Sequence, residues 1–168
     1  TANLASTSST SPAMPTGYTY KARIGAVRTS NASATLYGTW QFGRRAQFVV
    51  GLAQTTTIPV LVAGVQGTYS ITGPTYSAQS ISGLVPPTAS VIYAVGLSNY
   101  NNLATGSTLV APNASYSGPA TTNPPPISTS GNYTNTPVSM ILESSNIYYA
   151  GSAAGSGITV NGWEDNLT

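Results

Sequence analysis

The sequence has no cysteine and no histidine among its 168 residues. The absence of cysteine excludes disulfide bridges, thiolate zinc sites and cysteine nucleophiles. The absence of histidine excludes Ser-His catalytic triads and metal sites that depend on histidine. We therefore expect no cofactor and no metal. Burial of apolar side chains has to hold the fold together, which a single domain of this length allows.

Charged residues are also scarce, with five basic and three acidic side chains and a formal net charge of +2. The basic residues all precede residue 46 and the acidic residues all follow residue 142, so the stretch between them is formally uncharged. We expect no nucleic-acid partner, because no basic stripe is present to neutralise several phosphates. An uncharged surface of this extent suits an uncharged partner such as a glycan, or burial against neighbouring subunits.

Long apolar runs are missing as well. No stretch approaches the roughly 18 consecutive apolar residues that a membrane span requires, so we expect no membrane insertion. A start at Thr1 without an initiator Met suggests processing or excision from a longer polypeptide. No apolar stripe with a period of 3.6 residues is sustained for three turns, which argues against long amphipathic helices.

What the chain does contain is a series of about ten short strand-like runs separated by Gly, Pro, Asn and Ser. The run Ser90–Leu97 is uncharged, rich in β-branched and aromatic residues and bounded by Pro86-Pro87. Such a run predicts a central strand buried on both faces. We predict an all-β fold, an antiparallel β-sandwich of jelly-roll-like type, because no crossover helices are available for a parallel sheet.

The sequence predicts one domain over residues 18–168, preceded by an extended arm or linker over residues 1–17 that is rich in Ser, Thr, Ala and Pro. Alternation of apolar and polar residues from Tyr18 predicts a first strand. A second strand carries Trp40 and Phe42 on one face, and we expect Trp40 in the core. Residues 112–137 are predicted as a long loop.

Five segments carry a resemblance to a known group of proteins. In this order they are similar to segments of virion proteins of tailed bacteriophages and prophages, over Tyr18–Thr29, Gly43–Gln47, Gly83–Ser90, Asn146–Tyr149 and Gly162–Asn166. The resemblance implies a protein of the virion surface or tail, with other virion proteins as partners. Phage fibres are commonly trimeric, so it also implies a homo-oligomer, with a trimer as the leading arrangement.

Aromatic residues in polar loops are candidates for contact with a receptor or glycan. Tyrosine with Asn, Ser and Gly combines rigid contact area with adaptable hydrogen bonding, as in recognition loops. The alternative is that these tyrosines hold loops to the domain or fill a subunit interface. The candidate residues are Tyr100, Asn101, Tyr116, Asn132 and Tyr133.

The few charges have a structural interpretation. At least one of the two arginines Arg44 and Arg45 is expected to pair with Glu164 or Asp165 and so to tie the C-terminus to the first hairpins. Binding of phosphate or an acidic sugar by the two arginines is the alternative. A glycosidase would need Glu143 together with Glu164 or Asp165. Because surface or ion-paired carboxylates are the simpler interpretation, we expect no enzyme.

Composition and resemblance together predict a non-enzymatic structural or receptor-binding domain of a bacteriophage virion, as part of a tail fibre, baseplate or capsid surface. Its expected location is the surface of the extracellular particle. A carbohydrate-binding or adhesin module of a bacterial surface protein is the alternative, because such modules have a similar composition.

Overall fold

A computed structural model describes residues 13–20, 25–28, 36–51, 57–100, 103–131 and 134–166. These ranges contain ten strands and no α-helix, in accord with the expected all-β fold. No helix within them is long and apolar enough to cross a membrane. The strands are β1 Thr39–Phe42, β2 Arg45–Phe48, β3 Val60–Ala63, β4 Ser77–Ser80, β5 Ala89–Leu97, β6 Thr108–Ala111, β7 Ile127–Thr129, β8 Asn135–Ile141, β9 Asn146–Gly151 and β10 Gly157–Asp165.

The strands form two antiparallel sheets that pack together. The larger sheet has the order β1-β2-β10-β5-β8, with β3 also paired to β10, and the smaller sheet has the order β4-β9-β6-β7. Strands β3 to β10 therefore follow the jelly-roll arrangement, in which β3-β10-β5-β8 faces β4-β9-β6-β7. The β1–β2 hairpin extends the larger sheet beyond this unit. The predicted jelly-roll-like β-sandwich is confirmed.

Strand β5 lies between β10 and β8, as expected of the central run. Its inward side chains Ile92 and Ala94 are buried in the core, whereas Tyr93 and Val95 on the other face are partly exposed. The expectation that this strand is buried on both faces is therefore wrong. The smaller sheet packs against one face of the larger sheet and leaves the outer face of β5 near solvent.

Aromatic rings fill the core beneath β2 and β10. The Trp163 side chain is 1% exposed, and its ring lies edge-to-face with that of Phe48 at a centroid distance of 5.5 Å. Phe48 packs in the same way on Tyr37 at 6.1 Å, and the Arg28 guanidinium lies 4.5 Å above the Tyr37 ring. This stack holds the segments that contain Arg28 and Tyr37 against the inner face of the larger sheet.

Trp40 is not a core residue, and this prediction is wrong. Trp40 is 75% exposed and Phe42 is 92% exposed. The alternation along β1 was predicted, but its inward positions are Thr39 and Gln41, which lie opposite the buried Phe48 and Ala46. The period of a strand does not say which of its faces turns inward, because that depends on the register with the neighbouring strand.

Two further expectations differ from the structure. Tyr18, Thr19 and Tyr20 are exposed and belong to no strand, residues 25–28 form no strand, and residues 21–24 lie outside the described ranges. The predicted loop 112–137 includes all of β7 and the start of β8. Pro137 is tolerated within β8 because that strand lies at the end of its sheet, where a missing N–H donor costs no ladder bond. Of the predicted arm, residues 1–12 lie outside the described ranges, and the boundary at residue 17 stays a prediction.

The two tryptophans provide a matched test of this packing. We expect Trp163→Ala to lower the free energy of unfolding by about 3–5 kcal/mol, because it opens a cavity in the core. Trp40→Ala should change it by about 0.5 kcal/mol or less, because an exposed side chain loses little packing. Chemical denaturation of both variants measures the difference, and equal destabilisation would contradict the assigned faces.

Candidate functional site

The outer face of the smaller sheet is buried over part of its area, around β6 and β9. Leu109 and Ala150 point away from the core residues Val110 and Tyr149, yet both are fully buried. The long β6–β7 connection, residues 112–126, is hydrogen-bonded to the β3–β4 connection. Its middle lies next to the residues that lead into β4. In the smaller sheet, β9 separates β4 from β6 and β7, which are the two strands that this connection joins.

Hydrogen bonds hold this connection to the β3–β4 connection. Gly118 N donates to Thr72 O at 3.2 Å and Ala120 N donates to Ile71 O at 2.9 Å. The Tyr76 hydroxyl donates to Ser117 O at 3.1 Å, and burial raises the pKa of Tyr76 to about 12. The long polar segment thus has a structural role along the smaller sheet.

The outer face of the larger sheet is different, because exposed and partly exposed side chains run across it in two rows. Directly opposite residues of antiparallel strands point to the same face, so the strand registers define the rows. One row is Trp40, Gln47, Gly162, Tyr93 and Ser139, and the next is Phe42, Arg45, Glu164, Val91 and Ile141. Large apolar groups stand at the ends of these rows, since Trp40, Phe42 and Ile141 are 75%, 92% and 71% exposed.

A groove of about 360 Å³ lies between the ends of the rows. Gly162 contributes no side chain at its centre, and a Cβ there would overlap the Ala46 carbonyl oxygen of β2. Glycine therefore allows β2 and β10 to approach closely and leaves a depression in the sheet surface. The residues that line it include Arg45, Gln47, Tyr93, Ser139, Asn161 and Gly162.

A β-bulge places Asn161 in this groove. The register between β10 and β5 shifts between Val160 and Gly162, so Asn161 is the additional residue. Its side-chain Oδ1 is buried and accepts no hydrogen bond from any residue that the structure describes. Because buried polar atoms in folded proteins are nearly always satisfied, this carbonyl oxygen is an unused acceptor.

A cluster of charged and aromatic groups forms one wall of the groove. The Arg45 guanidinium lies 4.3 Å above the Tyr93 ring. The Tyr93 hydroxyl donates to Glu164 Oε2 at 3.0 Å, and Glu164 Oε1 lies 3.1 Å from Arg44 Nη2. Burial raises the pKa of Tyr93 above its usual value of 10.0, the hydrogen bond to Glu164 and its charge raise it further, and Arg45 opposes the shift.

Arg44 of the first hairpin thus pairs with Glu164, a carboxylate near the C-terminus. Arg45 stacks on Tyr93. Asp165 is fully buried and accepts a hydrogen bond of 2.7 Å from the Thr88 hydroxyl. Asn166 N also donates to Thr88 O at 2.8 Å, so the segment before β5 is tied to the C-terminus.

The two predicted loop contacts that the structure describes, Tyr100 and Tyr116, lie in different connections. Tyr100 lies in the β5–β6 connection, where its N–H donates to Gly155 O at 2.7 Å. Tyr116 lies in the β6–β7 connection, at the opposite end of β6. Asn101, Asn132 and Tyr133 lie outside the described residues.

The carboxylates considered for glycoside cleavage have separate sets of partners. Glu143 accepts a hydrogen bond of 2.7 Å from the Asn113 amide. Glu164 is engaged by Arg44 and Tyr93. In the described ranges, no group of three His, Cys, Asp or Glu side chains could hold a metal ion.

No protein-family model matches the chain, and no curated protein matches its sequence. The resemblance to phage virion proteins stays a prediction.

Sequence reasoning placed recognition in the loops and missed the groove residues Gln47, Tyr93, Ser139 and Asn161. One usable signal was present, since Trp40 and Phe42 alternate with polar residues in a short run next to a Gly-Arg turn. The groove itself depends on a bulge and on pairing between strands that are distant in sequence.

Glu164→Gln tests the Arg44–Glu164–Tyr93 contacts. The pKa of Tyr93 is higher in the folded than in the unfolded protein. Tyr93 therefore adds to the free energy of unfolding at any pH below its ordinary pKa of 10.0, and this contribution is lost as the pH rises through the folded-state pKa. Removing the carboxylate charge should lower the pKa of Tyr93, as measured by NMR titration of its ring. Stability at neutral pH should fall by about 1 kcal/mol or less, because the ion pair is partly exposed. Glu143→Gln is the matched control, and a Tyr93 titration unchanged by Glu164→Gln would contradict the contact.

Proposed function

We propose that this chain is a non-enzymatic structural or receptor-binding domain of a bacteriophage virion, carried on a tail fibre, baseplate or capsid surface. The observation that carries the proposal is the outer face of the larger sheet. That face combines exposed aromatic side chains, a polar groove and a stacked Arg–Tyr pair on paired strands.

The rigidity of this face supports a role in recognition. Its side chains stand on neighbouring strands of one hydrogen-bonded sheet, so their positions are set by the fold rather than by loops. The groove combines hydrogen-bonding groups with aromatic side chains at its margin, a composition typical of ligand sites. Jelly rolls occur in viral capsid and lectin domains, which is an analogy at the level of the fold.

The arrangement of the segments that resemble phage virion proteins supports the proposal that the chain is a virion protein. Gly43–Gln47 and Gly162–Asn166 lie side by side, because β2 pairs with β10 from Arg45 to Gln47. Gly83–Ser90 joins them through the hydrogen bond between Thr88 and Asp165. Segments separated by more than a hundred residues therefore form one corner of the fold, as expected of a shared structural unit.

A carbohydrate-binding or adhesin module of a bacterial surface protein is the second candidate. The same exposed face favours it, because a sheet surface with aromatic and amide groups suits a sugar on either kind of protein. The two candidates differ in where the protein is located.

Antibodies raised against the purified chain distinguish these locations. We expect gold-labelled antibodies to mark phage particles in electron micrographs of a lysate from the strain that encodes the chain. Antibodies depleted with the purified chain are the control. Label on the cell envelope, with bare particles, would contradict the virion proposal and favour the bacterial module.

We also propose that the chain forms a homo-oligomer, with a trimer as the leading arrangement. The long stretch without formal charge between residues 45 and 143 supports self-association, because it lacks the interspersed charges that keep monomers apart. Identical subunits favour closed symmetric assemblies.

Light scattering of the full chain at micromolar concentration measures the assembly. We expect one species at a small multiple of the 17.1 kDa chain mass, three times that mass for the trimer. A single species at the chain mass that does not change on concentration would refute self-association, whatever the location of the protein.

A further inference from the structure

We propose that the groove on the outer face of the larger sheet binds an uncharged saccharide. This inference rests on the receptor-binding part of the proposed function and gives it a site and a ligand class. Its volume of about 360 Å³ lies within the range of about 300–1,000 Å³ typical of small-molecule pockets.

The first argument is the unused acceptor in the groove. Asn161 Oδ1 is buried and receives no hydrogen bond within the described chain, although Asn161 lines the groove. A buried acceptor without a donor costs about 1–3 kcal/mol. This oxygen has almost no solvent-accessible surface, so a ligand hydroxyl reaches it only if the Asn161 amide turns into the groove, and a hydrogen bond to the ligand would then recover that free energy.

The second argument is the donor set beside this acceptor. The Arg45 guanidinium stacks on Tyr93, and its N–H groups donate to no acceptor among the described residues. Stacking holds the guanidinium plane in place, and the exposed Gln47 amide lies on the same strand and the same face. The groove therefore offers arginine and amide donors together with an amide acceptor.

Hydroxyl groups supply both a donor for Asn161 Oδ1 and an acceptor for Arg45. A hydroxyl donates one hydrogen bond and accepts others, so neighbouring ring hydroxyls are able to bond Arg45 and Asn161 together. A carboxylate or phosphate would suit Arg45, but it has no proton for Asn161 Oδ1 and would lie near the negatively charged Glu164, which hydrogen-bonds Tyr93. The donor and acceptor set therefore favours a ligand that carries hydroxyl groups over a simple carboxylate or phosphate, and the Glu164 carboxylate bonded to Tyr93 favours an uncharged one.

The third argument is the aromatic side chain at the margin of the groove. Trp40 lies opposite Gln47 in the β1–β2 register and is 75% exposed. A large aromatic face beside polar groups suits a sugar ring, which has apolar C–H groups on its faces and hydroxyls around its edge.

NMR titration of the isotope-labelled full chain tests the site. The probes are the methyl glycosides of glucose, galactose, mannose, rhamnose and N-acetylglucosamine, with glucuronate as the charged comparison. We expect at least one neutral glycoside to produce saturable shifts at the Asn161 side-chain amide, the Gly162 amide and the Trp40 indole, with a Kd of the order of 1 mM. Asn161→Ala should weaken this binding about tenfold.

Asn135→Ala is the matched control, because Asn135 is exposed on the same sheet face in β8 but does not line the groove. Its affinity should equal that of the unmodified chain. If Asn161→Ala does not fold, Arg45→Leu replaces it, since leucine keeps an apolar contact over Tyr93 but removes the donors, and the same loss is expected.

The proposal is overturned if no neutral glycoside gives saturable shifts, if the shifts centre on Tyr100 or Tyr116, or if glucuronate binds more tightly than every neutral glycoside. Shifts at these groove residues that follow protein concentration without any sugar would show that a second copy occupies the face, which also overturns it. These outcomes are separate from particle labelling. If the antibodies label particles but no sugar binds, the virion proposal is retained and the saccharide site is rejected. If a sugar binds but the antibodies label the cell envelope, the saccharide site is retained and is assigned to a bacterial module.

Discussion

Hydrogen bonding along strand β10 is the constraint on which the rest of this structure depends. One edge of β10 pairs with β5 from Gly157 to Asp165, while the other edge is divided between β3 and β2. The strand therefore joins the β1–β2 hairpin to the eight-stranded jelly roll. Without it, the hairpin would have no place in the larger sheet, because β1 pairs with β2 and β2 pairs with β10.

The bulge in β10 links the core to the outer surface. Val160 and Trp163 are three residues apart and both enter the core, which a regular strand with a period of two would not allow. Asn161 is the additional residue, and it is left on the groove side with an unused carbonyl oxygen. The same bulge that turns Trp163 towards Phe48 thus places the Asn161 side chain in the groove.

The two sheets have different roles because their outer faces differ. The β6–β7 connection lies along the smaller sheet, where Leu109 and Ala150 are fully buried. The larger sheet leaves Trp40 and Phe42 exposed beside a groove with polar walls. This is the face on which we propose that an uncharged partner is recognised. The Arg44–Glu164 pair lies next to this face and ties the first hairpin to the last strand.

The amino-acid sequence by itself determined the all-β class, the jelly-roll-like sandwich and the central position of β5, because strand length, period-two alternation and turn residues are local properties. It also indicated that an arginine of the first hairpin would meet a C-terminal carboxylate, since so few carboxylates were available. Only the tertiary structure decided that Trp163 is buried while Trp40 is exposed, and that Gln47, Tyr93 and Asn161 share one groove. Alternation defines two faces of a strand but not which of them turns inward. That choice depends on register and bulges, which arise from pairing between strands far apart in the sequence.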